Sequence, residues 1–520
     1  MKRSVVLAVL WVLLITTHLS ATGNQEKVPA GVMEPPKVVI FNTRPSKEKL
    51  PEGVDFNNNP YINFIKESSG IEPVFMRPEI STYYDKLNLI MSSKNMPDLI
   101  QGRFEDLYRY AKEGLLVPLD DLLKTHGKDI LEKMPENAWQ HTMVDGKIYG
   151  IPSVYFYPVE GKDSIPNRVL WMRRDWSQKL GIKDPATLQE FTEMLRAFTY
   201  NDPDGNGKKD TLGISGYIRD GELRGLDPIF GAFGVIQHGA TWSDVDGKVV
   251  YNPTKPEMKD ALAYLNSLYK EGILDPEFYM LNSSQWMERV YQGKIGVWQG
   301  SWWEPEQRTT SILKNTGVAP MVGGLIKPIH APIGPKGIKG NSASLALSEG
   351  VYFITIDAKD PSIPVKLFNW LFSPAGRDYD FGIKGVNYEV INGVRTRSTI
   401  NPPEIYRRLY HLSYVPWSEE EFKLNALDEV KHDKDIFEFA WEALKISAED
   451  AVTSAIPYYQ SESLLEFGPE LQKMWVEYAV KIIIGEYPLS EWETFVSLWN
   501  KNGGEQITKE MNAYYASIRK

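Results

Sequence analysis

The sequence predicts an α/β protein built from more than one lobe. The chain has 520 residues, too many for one compact core. Its 42% hydrophobic and 24% charged residues are ordinary for a folded globular protein. From about residue 36 onwards, strand-like and helix-like stretches alternate, which implies open, mostly parallel sheets flanked by helices. Sheets of this kind bind ligands in the crevice beyond their strand ends.

Taken in order, "KVVIFNTRP" is a run of β-branched and aromatic residues closed by turn chemistry, the pattern of a buried strand. Helical "YINFIKESSG" and strand-like "IEPVFMRP" follow, then the helix "YYDKLNLIMSSKN" and the short strand "PDLI". In "LQEFTEMLRAF", Leu188, Phe191, Leu195 and Phe198 share one helical face, and Thr187 with Glu190 predicts a capping box. "PEMKDALAYLNSLYKEG" repeats the pattern with Met258, Leu262, Leu265 and Tyr269, and Gly272 marks its stop. Two more helices close the chain, "ELQKMWVEYAVKIIIG" and "SEWETFVSLWNKNGG", the second with Ser490 and Glu493 in capping-box spacing.

The first residues, "MKRSVVLAVLWVLLITTHLSATGNQ", combine a basic start, an apolar run and small residues. This is the pattern of a secretory signal over residues 1–21, with a polar linker over 22–36, and the apolar run is short for a membrane span. "LSAT" at Leu19–Thr22 resembles the lipobox of bacterial lipoproteins, but Thr22 stands where the lipid-bearing Cys would be. The chain has no Cys at all. The expectation is an exported, periplasmic or extracellular soluble protein without lipid anchor or disulfides, stabilised by its core and by bound metal. The formal net charge of −10, with no long basic run, argues against nucleic acid as a partner.

Two stretches carry chemistry. In "YNDPDGNGKKDTLG", Asp202, Asp204, Asn206, Lys208 and Asp210 recur at alternate positions, with Gly207 at the sharp turn of an EF-hand-like loop. Oxygen donors at that spacing suit Ca²⁺, with Lys208 contributing its backbone carbonyl. The EF-hand's twelfth-position Glu is replaced by Gly213, and no base or nucleophile stands beside the loop, so a structural ion is expected. A metal-free Asn/Asp/Gly turn is the alternative. In "GKIGVWQGSWWEPEQ", a strand-like run breaks at Gly300 into Trp302 and Trp303, with Gln299 alongside. An exposed indole at a strand end stacks well on the C–H face of a sugar, the alternative being inter-lobe packing. Tyr155, Tyr157, Trp171 and Arg173 are further ligand candidates, each equally readable as core.

Catalytic signals are weak. His126, His141, His238, His330, His411 and His432 lack zinc-ligand spacing, and there is no nucleophile elbow, P-loop or dinucleotide fingerprint. Carboxylates abound, but nothing in the sequence selects a glycosidase pair.

In order and spacing, "MPDLI" (96–100), "GLLVPLDDLL" (114–123), "DGKIYGIP" (145–152), "WMRRDWSQKLGI" (171–182), "FTYNDPDGNGKKDTLGISGY" (198–217), "GKIGVWQGSWW" (293–303), "FGIKGVNYEV" (381–390) and "PLSEWETFVSLWNKNGGEQITKEMNAYY" (488–515) resemble the extracellular solute-binding proteins of ABC importers. The resemblance covers nearly all of the chain after the signal and is nearest the large LplA-like and alginate-oligosaccharide-binding subgroup. It implies a type II-like periplasmic-binding-protein fold, two α/β lobes with hinge strands between them, closing over ligand. Lobe 1 is expected over 36–150 and 350–440 and lobe 2 over 151–349 and 441–520, with crossovers near 150–157 and 349–361. In the alginate-binding relatives a calcium loop lies at 202–210, followed by an acidic residue where this chain has Thr211. Trp302 or Trp303 matches a sugar-stacking tryptophan, and Tyr388 in the last-but-one matching stretch joins the ligand candidates. The implied function is that of a monomeric, non-enzymatic receptor that delivers an oligosaccharide to an ABC permease, with Ca²⁺ as a structural cofactor. A secreted lyase or glycosidase and a peptide receptor are the alternatives.

Overall fold

The computed structural model describes residues 34–518, apart from 43–53, 79–81, 155–163, 398–409, 414–419, 421–433 and the positions 94, 135, 166–167, 220, 239–240, 343, 346, 380, 411 and 457–458. The elements that frame the site are β1 (Lys37–Phe41), α1 (Pro60–Ser69), β2 (Glu72–Met76), α2 (Tyr83–Met91), β3 (Leu99–Gly102), β4 (Gly150–Val154), β5 (Arg168–Arg173), α3 (Leu188–Tyr200), β6 (Leu212–Ile214), β7 (Ile295–Ser301), β8 (Ile326–Ile329), β9 (Asn341–Ser342), β10 (Leu347–Ile354), α4 (Lys434–Glu449) and β11 (Ala451–Val452).

The first sheet runs β2-β1-β3-β10-β4. Its three leading strands pair in parallel, as expected of strand–helix–strand units. α1 follows that logic locally: the Asn59 side chain accepts from the amides of Tyr61 and Ile62, and Gly70 closes the helix in the left-handed conformation at φ 71°. β3 is buried at every position because it lies inside the sheet, between β1 and β10. The core around this sheet draws on residues between Val38 and Ile151, then between Val351 and Leu412.

The second sheet runs β8-β5-β7-β6. Here only β7 and β6 are parallel, while β5 pairs antiparallel with both β7 and β8. β10 also runs antiparallel to β3 and β4. The sheets are therefore more mixed than the expected mostly parallel pattern. The antiparallel strands border the stretches where the chain passes from one sheet to the other, and such a passage reverses strand direction. On β5 the alternation is clean: Leu170 and Met172 enter one core cluster, Val169 and Trp171 another on the opposite face. Both clusters of this second lobe draw on residues after Arg168 and again on the C-terminal helices.

β4 and β10 pair as a ribbon, and Ser164–Ile165 with Ser344–Leu345 continues the pairing towards the second lobe. The second passage thus lies between Ser342 and Leu347, just before the expected stretch 349–361, of which Val351–Ile354 pairs in the first sheet. The Thr187–Glu190 capping box of α3 is present in both directions, and Leu188, Phe191, Leu195 and Phe198 are buried. The box expected at Ser490 is not. Ser490 is itself helical (φ −65°, ψ −19°) and makes no side-chain cap, and Glu493 pairs with Lys259. Among the described residues no helix is long and apolar enough to cross a membrane.

Candidate ligand-binding site

β7 is buried along its whole length and points its C-terminal end at the edge where the chain passes between lobes. The strand stops at Trp302-Trp303, and Pro305 opens the next helix, Pro305–Thr316, as a residue at N1 readily does. Gly300 is required by close packing: a Cβ there would lie 2.8 Å from Cδ1 of Trp171 and against the Glu304 carboxylate. That carboxylate is buried and held by Arg308, whose Nη2 lies 3.0 Å from Glu304 Oε1. A buried pair of this kind is costly to break on one side, so it fixes the turn that carries the tryptophans. Trp302 folds back into the core at 5% exposure, while Trp303 keeps 42% of its surface in solvent.

Gln299, buried on the same strand, donates from Nε2 to Asn341 Oδ1 and to Ser342 Oγ at 3.4 Å. Asn341 Nδ2 in turn donates to the Arg168 carbonyl at 3.0 Å, tying the start of β5 to β9. Ser342 Oγ donates to Asp227 Oδ2 at 3.1 Å. That carboxylate oxygen lies 3.5 Å from His238 Nδ1, Arg224 Nη1 contacts the other ring nitrogen, Nε2, and Arg224 Nη2 donates to Glu222 Oε2. A continuous polar network therefore runs from the strand that ends in Trp303, across the foot of the passage to the first lobe, to a charged cluster. Glu222, Arg224, Asp227 and His238 were not candidates in the sequence. The signal was the lone carboxylate inside the apolar run "LDPIFGAFG", where a charge can persist only if it is partnered.

A second network flanks β9. The amide of Asn341 donates to the Asp450 carbonyl at 2.7 Å. The buried Asp450 carboxylate receives Lys339 Nζ at 2.5 Å, His330 Nδ1 at 3.0 Å and the Ala331 amide at 2.7 Å. Burial pushes the Asp450 carboxyl up, but the bonds from His330, Lys339 and Ala331 outweigh it and leave it below the usual aspartate value. The same bond to Asp450 raises His330, against burial.

Three sequence candidates fall elsewhere. Trp171 is fully buried on β5 and donates from Nε1 to the Ser301 carbonyl at 3.0 Å, so no ring face is open to a ligand. Arg173 is buried beside it, bonding Asp175 and the Gly293 carbonyl, with its guanidinium 4.4 Å from the Trp176 ring. Both lie in the interior because β5 is a central strand covered on both faces. Tyr388 is buried at 2% exposure against Phe381, and burial and then the hydrogen bond to Asp378 push its hydroxyl well up. Tyr155 and Tyr157 lie outside the described residues.

The loop over 202–210 is folded inward upon Asn206. Asp202 is in the left-handed region at φ 47°, as are Gly205 and Gly207 at φ 74°. Asp202 Oδ1 accepts from the Asn206 amide at 3.0 Å, and Asn206 Nδ2 donates to Asp204 Oδ2 at 2.7 Å and Asp210 Oδ1 at 3.2 Å. The carboxylates repel one another: burial, then Asp202 and Asp210, raise Asp204. Among the described residues, no three His, Cys, Asp or Glu side chains are set as a metal-ligating group. Thr211 turns away, its hydroxyl donating to the Phe198 carbonyl at 2.9 Å. Gly213 has a packing reason: a Cβ there would lie 2.7 Å from the Leu195 carbonyl of α3, which excludes the glutamate an EF-hand carries.

Sheets joined by their own crossing strands, with polar side chains and an exposed indole gathered at that edge, define the class of hinged two-lobed binding proteins. Within that class, the chain belongs to the bacterial extracellular solute-binding protein family, matched over residues 56–378. It is similar to Lipoprotein LipO of Bacillus subtilis (strain 168), 26% identical over 479 residues, covering 89% of this chain and 90% of that one. It is also similar to the fructooligosaccharide ABC transporter substrate-binding protein FusA of Streptococcus pneumoniae serotype 4, 29% identical over 289 residues, 49% of this chain and 53% of FusA. FusA solved in complex with kestose shares the fold at a TM-score of 0.69 over 93% of this chain and 99% of that one, at 19% identity. An EF-hand mutant of FusA in complex with fructo-nystose gives 0.68 over 93% and 99%, at 20% identity. The alginate-binding protein AlgQ2, solved without calcium ion, gives 0.66 over 93% and 98%, at 19% identity.

Proposed function

We propose that this protein is the extracytoplasmic receptor of an ABC importer, binding an oligosaccharide between its lobes and presenting it to the permease. The observation that carries this reading is the exposed Trp303 ring at the end of β7, joined through Gln299 to a polar network at the foot of the interlobe passage. An indole face for C–H surface beside convergent polar groups is what sugar recognition requires. Names of relatives support the ligand class, since FusA is described as binding fructooligosaccharides and AlgQ2 alginate. Closure is driven by ligand only so far as the ligand prefers the closed form. Export is read from the basic start and apolar run of the first residues.

The loop over 202–210 acts as a structural Ca²⁺ site. Asp202, Asp204, Asp210, the Asn206 amide and the Lys208 carbonyl would supply its hard oxygen donors, in a loop where the Asn206 side-chain N–H bonds the Asp204 and Asp210 carboxylates. Turning that amide over replaces a donor by an acceptor. Bound calcium supplies charge neutralisation that stiffens the loop behind α3.

Titration calorimetry with neutral and acidic oligosaccharides tests the receptor reading, and binding of none would end it. Recovery of the bound sugar intact after prolonged incubation separates a receptor from a lyase or glycosidase. New reducing ends would favour the enzyme.

A further inference from the structure

Asn341 stands where both passages meet the second lobe. Its side-chain oxygen accepts from Gln299 Nε2 on β7, and its Nδ2 donates at 3.0 Å to the carbonyl of Arg168, where the first passage enters β5. Its backbone amide donates to the Asp450 carbonyl at 2.7 Å, as β9 pairs with β11. Gln299 Nε2 also reaches Ser342 Oγ at 3.4 Å, so both hydrogens of that side-chain amide are engaged. Gln299, Asn341 and Ser342 are all buried. The backbone is wedged at the same point. A Cβ on Gly340 would lie 2.5 Å from Cγ2 of Val452, and one on Gly231, in the short helix Asp227–Ala232, would strike the Gly340 carbonyl. Beyond Ser342 the chain pairs with the other passage instead, Ser344–Leu345 against Ser164–Ile165. The register then shifts between Leu347 and Val351, where Gly350 has φ 124°, a value open to glycine. A bend between the lobes falls most readily on this stretch, whose second-lobe end is pinned by side-chain amides.

We infer that Gln299 and Asn341 are positioning residues that couple a sugar held at Trp303 to closure of the lobes; this rests on the receptor reading proposed above. Gln299 lies on the strand that leads into Trp303, and its bond to Asn341 ties that strand to the start of both passages at once. A displacement of the strand end under a bound sugar is thereby passed to Arg168 and Ser342 together. Without the bond β7 can shift while the passages stay where they are. Sugar would still stack on Trp303, but its binding would no longer favour the closed form. Gln299 itself meets no ligand in this arrangement, because its amide hydrogens are taken within the fold. Asn341 has no freedom to turn its amide over, since one end must accept from Gln299 and the other must donate to a carbonyl.

The test is calorimetry and small-angle scattering on the full chain. Kestose, manno-oligosaccharides, oligogalacturonate and alginate oligosaccharides are the probes, and the tightest binder is carried forward. Gln299→Met keeps the side-chain length but has no donor. The expected result is a Kd raised about 10-fold, with a decrease in radius of gyration at saturating sugar that is at most about half that of the parent. Saturation is the deciding condition. A lost ligand contact, as in Trp303→Ala, raises the Kd but still gives the parent's full decrease once every site is filled. A merely structural loss lowers the melting temperature and leaves the decrease as it is. Asn341→Ala should reproduce the reduced decrease, and decides the matter should Gln299→Met fail to fold by circular dichroism. A folded Gln299→Met or Asn341→Ala with the parent's decrease at saturation would overturn this inference, and so would a parent whose radius does not change on binding. The receptor reading survives either outcome. Binding of no probe would remove the receptor reading, and this inference with it.

Discussion

Trp303 keeps a large part of its ring in solvent because β7 has ended there, and the consecutive side chains of a turn point apart, sending Trp302 into the core. Truncating each ring therefore has a different consequence. Trp303→Ala is expected to weaken oligosaccharide binding by about 10- to 100-fold, the range of an aromatic anchor, with a change in stability within about 0.5 kcal/mol. Trp302→Ala is expected to cost about 3–5 kcal/mol of stability in a denaturant titration, because it empties a packed site. If Trp303→Ala bound sugar as well as the parent, the stacking assignment would be wrong. The pair was readable in the sequence as a strand-end feature. Which ring faces out was not, since that depends on the Glu304–Arg308 pair that fixes the turn. Trp171 and Arg173, readable in the sequence as ligand or core, turn out buried for a related reason. Aromatic and basic residues read as ligand-like until the neighbouring strands β7 and β8 are known to cover them.

At the scale of elements, local chemistry was legible wherever it was self-contained. Thr187 and Glu190 need only each other to cap α3, whereas the Ser490 box failed because Glu493 found Lys259, a residue far away in sequence. The loop over 202–210 is also self-contained, and its spacing alone suggests a cation. Chelation with EDTA should lower the melting temperature, by about 2.7 kcal/mol of lost stability where calcium stands at 100 times its Kd. Asp204→Ala should have a lower melting temperature that EDTA no longer shifts; an identical melting curve with and without EDTA in the parent protein would dismiss the ion. The His330–Asp450–Lys339 network pairs residues too distant in sequence to predict, and it has a pH signature. His330 is raised above its ordinary 6.5, so its contribution is complete below that value and is lost as pH rises through the higher folded value. Asp450 is lowered from 3.8, so its contribution is present above that value and fades as pH falls through the lower folded one. Both are in place between about pH 4 and 6.5. The stability gap between parent and His330→Gln should be widest there and shrink on the alkaline side; a gap that grew above pH 7 would contradict the pairing.

For the whole molecule, the two lobes were foreseeable because 520 residues exceed one core and because strand and helix patterns alternate. The passages were harder to place, since a strand that leaves one sheet reads no differently from one that stays. β10 shows the point: it lies wholly in the first sheet, and its companion segment Ser344–Leu345 begins the ribbon towards the second. Two cores joined by paired crossing strands make hinge motion the expected response to ligand. A single globule of this length would have a radius of gyration of about 24 Å. Small-angle scattering of the free protein should therefore give a larger value, decreasing towards that figure when an oligosaccharide is bound. The decrease should be smaller in Trp303→Ala at the same sugar concentration, because fewer molecules are occupied. A radius unchanged by a sugar that calorimetry shows to be bound would mean that the lobes are rigid with respect to each other, and that recognition by the permease must depend on something other than closure.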